Sequence, residues 1–161
     1  MTQSEMSESE MTQEEKLTQL RAQMRSHGVD AYIVPGTDSH QSEYIAEHFQ
    51  VRHWISGFHG SSGTAVITMD RAGLWTDSRY YLEAEHVLAG TEIELFRSGE
   101  PEVPNYPEWL TKTLPAESVV GINGALFSIG AVREMTQTLH DAGLSLELVG
   151  DLIGPIWADR P

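Results

Sequence analysis

The chain has 161 residues, 40% hydrophobic and 21% charged, enough for one buried core and not comfortably for two. Its formal net charge of −14 argues against the concentrated basic face that a nucleic-acid binder needs. With no cysteine there is no disulfide or thiolate site, no apolar run approaches a membrane span, and the first residues lack the basic-then-apolar order of a signal peptide. These features predict a cytoplasmic protein with no nucleic-acid and no membrane partner.

Residues 1–15 carry five glutamates and no basic residue, leaving 19 acidic against 10 basic residues, or −9, for the remainder. So polar an opening predicts a disordered acidic tail over residues 1–11, with one domain over residues 12–161. Thr12 and Glu15 form a capping box, from which a helix runs with Leu17, Leu20 and Met24 on one face and stops at Gly28. Residues 31–34 read as a buried strand ended by Pro35-Gly36, and residues 42–47 as a short helix. Residues 62–68 and 73–76 read as two antiparallel strands joined at Asp70-Arg71. A helix over 79–88, a strand over 92–96, and a proline-rich loop feeding a short helix before Pro115 follow. Strand 119–122, helix 128–142 closed by Gly143, strand 144–149 and a short helix over 151–157 complete the series. Helices alternating with short apolar strands predict an α/β fold, a mixed central sheet covered on both faces.

Several groups invite a chemical reading. His40, His48, His53 and His59 fall within twenty residues, but their spacings of eight, five and six match no helical pair or compact loop site, so no metal site is assigned. The run SGFHGSSG lacks the lysine of a phosphate-binding loop and leads into a strand rather than a helix. Gly57, Gly60 and Gly63 fit a tight turn with positive φ. In WTDSRYY, Asp77 or Ser78 reads as a helix cap, while Arg79 could bind a carboxylate with its planar fork. Trp75, Tyr81 and Trp54 read as packing residues. Asp38, Ser39 and His40 are consecutive on one loop and cannot converge as a hydrolase triad.

The runs AYIVP, DSHQSEYIA, SGFHGSSGTAVIT and WTDSRYYLEA, in this order and spacing, resemble the N-terminal domain of cytosolic-type Xaa-Pro aminopeptidases, in the creatinase/prolidase/aminopeptidase P group. The tail DLIGPIWADRP resembles the ending of that domain. The resemblance implies a three-layer α/β/α fold of the ribonuclease-H-like kind. It also implies a non-catalytic domain that shapes the substrate cleft and subunit contacts of a longer, manganese-dependent metallopeptidase. That enzyme removes an N-terminal residue preceding proline. The two divalent cations would belong to a separate catalytic domain whose ligand motifs are absent from this chain. Implied partners are the middle and catalytic domains, peptides with proline second, and a second subunit in a homodimer. The alternative is a free-standing binding or regulatory module that kept the fold without peptidase activity. The implied cleft-facing residues are Phe58, His59, Arg79 and His40; many relatives carry aspartate where this chain has His59.

Overall fold

The computed structural model describes residues 11–37 and 46–161. Helix α1 (Gln13–Ser26) starts where the capping box places it, with the Thr12 hydroxyl accepting from Glu15 N–H at 3.1 Å. The reciprocal half differs: the Glu15 carboxylate accepts from the Thr12 hydroxyl at 3.0 Å. Strand β1 (Ala31–Pro35) follows, then helix α2 (Val51–Ser56) and the antiparallel pair β2 (Thr64–Thr68) and β3 (Ala72–Thr76). Helix α3 (Tyr81–Leu88), strand β4 (Ile93–Arg97), helix α4 (Tyr106–Thr113), strand β5 (Val119–Ile122), helix α5 (Ile129–Asp141) and strand β6 (Ser145–Leu148) complete the order.

The six strands form one mixed sheet in the order β4-β3-β2-β1-β5-β6. β1 is parallel to β5, β5 to β6, and β3 to β4, whereas β2 runs against both its neighbours. Alternate residues of each central strand serve opposite faces, as a pleated sheet requires. Tyr32, Val34, Ala65, Ile67 and Leu74 pack with α1, α2 and α3, while Ala31, Ile33, Val66, Trp75, Val120 and Ile122 pack with α4 and α5. The result is the expected α/β sheet with helices on both faces.

Several boundaries depart from expectation. Helix α2 was not foreseen: Gln50 gives no side-chain cap, the element has six residues, and two of them are His53 and Trp54. The helix expected over 79–88 begins as a 3-10 turn at Ser78–Tyr80. The helix expected over 151–157 is a 3-10 turn at Gly154–Ile156, held at its start by Asp151 Oδ1, which accepts from Ile153 and Gly154 N–H at 3.0 Å each. The short helix expected over 42–47 and the tail of residues 1–10 fall outside the described residues.

After β6 the chain crosses the end of the sheet and is clasped by β1. The Tyr32 hydroxyl donates to the Gly150 carbonyl at 2.7 Å and accepts from Leu152 N–H at 3.2 Å. Trp157 then stacks on Trp54 at 5.5 Å, and Arg160 pairs with Asp151 and donates to the His48 carbonyl. Trp54 is thus half-buried against the tail rather than enclosed. Tyr32→Phe strands two backbone groups in an almost solvent-free place and should lower stability by about 1–3 kcal/mol in chemical denaturation. An unchanged unfolding midpoint would show that the tail is held by its apolar contacts alone.

Candidate functional site

Because only β2 is reversed, the loop that feeds it begins at the end of the sheet where the other five strands finish. Residues 57–63 therefore lie beside Gly36, just after β1, and beside the segment that follows β3, the region where open α/β sheets present ligand crevices. Gly57 (φ 77°) ends α2 in the left-handed region, and Gly63 (φ 146°) turns the chain into β2. Gly60 does not adopt positive φ. Its requirement is space, since the Phe58 ring occupies the place its Cβ would take.

The loop is fastened on two sides. Beneath it, Arg52 Nη1 donates to the Gly63 carbonyl at 3.1 Å, Nη2 donates to the Gly60 carbonyl, and the guanidinium lies over the Phe58 ring at 5.1 Å. The Ser62 carbonyl accepts from the Thr76 hydroxyl of β3 at 2.7 Å. On the outer side the Ser61 and Tyr80 hydroxyls meet at 2.5 Å, and the Tyr80 ring packs edge-on against Phe58 at 5.8 Å.

Asp77 caps the 3-10 turn by accepting from Arg79 N–H at 3.0 Å. The same carboxylate takes the Arg79 side chain as a fork, Nε to Oδ1 at 3.0 Å and Nη2 to Oδ2 at 2.9 Å. The Arg79 hydrogen bond holds the Asp77 carboxyl well below the usual carboxylate range, and Asp77 raises the guanidinium in turn. Arg79 also lies over the Tyr80 ring at 5.1 Å, with its side chain 65% exposed. Capping and ligand binding are thus compatible here. The capping carboxylate also takes one edge of the guanidinium, whose side chain is otherwise largely exposed.

The expected cleft residues have different fates. Phe58 has no exposed surface, so it is corrected from a cleft-facing residue to the support under Gly60. Arg79 is exposed and joins Phe58 only through Tyr80. His59 is exposed and packs against His53 with ring centroids 3.5 Å apart. His40 lies outside the described residues. Burial pushes the His53 imidazole down to about 4, with His59, Arg52 and Lys16 adding to the effect. Among the described residues no group of three or more His, Asp or Glu side chains is placed to hold a metal ion. Nor is any helix there long and apolar enough to cross a membrane. Two residues that sequence reasoning did not single out as site residues, Arg52 and Tyr80, hold the loop. The signal was the short helical period in VRHWIS, which sets Arg52 on the same side as Ile55 and Ser56.

The Creatinase/Prolidase N-terminal domain family matches residues 16–153. Aminopeptidase P2 of Arabidopsis thaliana is 44% identical over 153 residues, which are 92% of this chain and 21% of the plant protein. The Xaa-Pro aminopeptidase ApepP of Drosophila melanogaster is 44% identical over 88% of this chain and 24% of its own length. Among solved structures, the X-prolyl aminopeptidase of Caenorhabditis elegans, described as a cytosolic enzyme with a di-nuclear active site, superposes with a TM-score of 0.89. It is 34% identical over 94% of this chain and 26% of its own. The chain thus spans about a quarter or less of the length of these relatives.

The half-buried His53 imidazole has a measurable consequence. Between the ordinary value of 6.5 and about 4, the unfolded chain binds a proton at His53 that the folded chain does not. Stability should therefore fall as pH is lowered through that window, and His53→Gln should flatten the fall. Denaturant titrations from pH 7 to pH 4 with parallel slopes for both chains would overturn this assignment.

Proposed function

The chain belongs to the creatinase/prolidase N-terminal domain family, and we propose that it is the non-catalytic N-terminal domain of a metal-dependent Xaa-Pro aminopeptidase. The observation that carries this reading is the lopsided coverage: nearly the whole chain aligns with about a fifth of a peptidase. The residues described here do not fit the di-nuclear centre named for the nematode relative, since no three-ligand group is present among them. The metal chemistry is therefore assigned to the remainder of the enzyme, and no step of it is derived from this chain. What the chain contributes is a rigid wall. Its glycine loop and the Asp77–Arg79 pair sit at the end of the sheet where connecting segments gather, and the exposed guanidinium edge can donate to a carbonyl or carboxylate of a short peptide. In this reading the partners are the middle and catalytic domains, peptides with proline second, and a second copy of the enzyme. The compartment is the cytoplasm.

The 161-residue chain alone, supplied with manganese, should release no N-terminal residue from an Xaa-Pro peptide; hydrolysis by it would overturn the reading. In the full-length peptidase, Arg79→Met should lower kcat/KM for Xaa-Pro tripeptides about tenfold, the loss of about 1.4 kcal/mol of binding. Unchanged kinetics in a folded variant would remove Arg79 from the cleft.

A further inference from the structure

Arg52 is only 6% exposed, yet none of the ion pairs among the described residues includes it. Its Nε is buried without an acceptor. Burial pushes the guanidinium down to about 10, so it still carries its charge at neutral pH. Burying a charge with no carboxylate bonded to it is unfavourable, Glu83 acting only from a distance, and packing under the loop alone would be met by an apolar side chain. The fold even reserves space for the guanidinium. A Cβ on Gly36, at the end of β1, would run into Arg52 Nη1.

The geometry explains what the charge achieves. Arg52 turns the Gly60 carbonyl inward, and in a trans peptide this sends the following N–H, that of Ser61, outward. Ser61 faces outward to Tyr80, whose phenol is held below its ordinary value by hydrogen bonds from the Ser61 side chain and backbone. Tyr80 in turn supports the Arg79 guanidinium, and the Ser62 carbonyl is tied to Thr76, next to Asp77, the other support of Arg79. A relay of direct contacts thus runs from the buried cation through the loop to the exposed one.

We infer that Arg52 is a positioning residue: it touches no substrate, and through Gly60, Gly63 and Tyr80 it sets the orientation of Arg79 at the peptide cleft. This rests on the proposed function above. Lysine cannot replace it, because a single ammonium cannot span two carbonyls as the planar fork does.

The test is steady-state kinetics of the full-length peptidase carrying Arg52→Lys, at a temperature where the variant is folded. KM for an Xaa-Pro tripeptide should rise about tenfold while kcat stays within about twofold, the signature of lost substrate positioning with intact chemistry. In the 161-residue chain the same substitution should shift the Ser61 and Tyr80 amide signals in nitrogen–proton correlation spectra. Gly36→Ala provides a second variant that displaces Nη1 and keeps the charge, and it should raise KM in the same way. A folded Arg52→Lys enzyme with parental KM overturns the inference. Failure of both variants to fold also overturns it, since Arg52 would then be structural only. If Arg79→Met raises KM and Arg52→Lys does not, the relay fails and the cleft reading stands. If neither changes KM, the cleft reading fails with it.

Discussion

A single reversed strand decides where everything of chemical interest in this chain is placed. In a wholly parallel sheet, the segment entering β2 would start from the opposite end, away from the connections that follow β1 and β3. Because β2 is antiparallel to both neighbours, its entry loop and the β3–α3 junction meet at one end. The contacts of Thr76 with Ser62 and of Tyr80 with Ser61 follow directly from that reversal. So does the position of Arg52, since α2 must deliver the chain to the start of β2 across a loop of seven residues.

The two cations of this region illustrate different uses of charge. Arg79 is exposed and paired, and such pairs contribute little to stability in water. What the pair fixes is direction, since a two-bond fork leaves the guanidinium only one orientation relative to the turn that Asp77 caps. Arg52 is buried and its hydrogen bonds go to carbonyl dipoles rather than to a carboxylate, an arrangement that is poor for stability and good for geometry. The surrounding residues accommodate it by omission: Gly36 and Gly60 lack the Cβ atoms that would collide with the guanidinium and with Phe58.

The layered α/β fold could be read from the sequence because its signals are local. Thr12, Ser128 and Gly143 mark helix ends by hydrogen bonding or backbone freedom, and the apolar strand runs declare burial on both faces. The functional region was less legible. Phe58 stands in a loop rich in glycine and serine, where an aromatic residue suggests exposure. Its burial follows from the missing Cβ of Gly60, which only the folded chain reveals. Arg52 was hidden for the reverse reason: arginine is seldom enclosed, and α2 is too short and too poorly capped to announce which of its faces turns inward. The His53–His59 contact was missed because six residues separate the pair and the chain turns at Gly57 between them.

That last contact shows how the loop can vary while the core does not. His59 is exposed, so the sheet places few demands on its identity. Its neighbours place more. His53 is kept neutral by burial and by the proximity of Arg52 and Lys16, and a neutral ring can stack against another imidazole without repulsion. An aspartate at position 59 would put a negative charge beside the His53 ring and favour its protonation. Histidine at position 59 is therefore coupled to the protonation state of His53, while Arg52 beside it bonds the loop carbonyls. The rigidity of the loop then depends on hydrogen-bond geometry rather than on charge neutralisation.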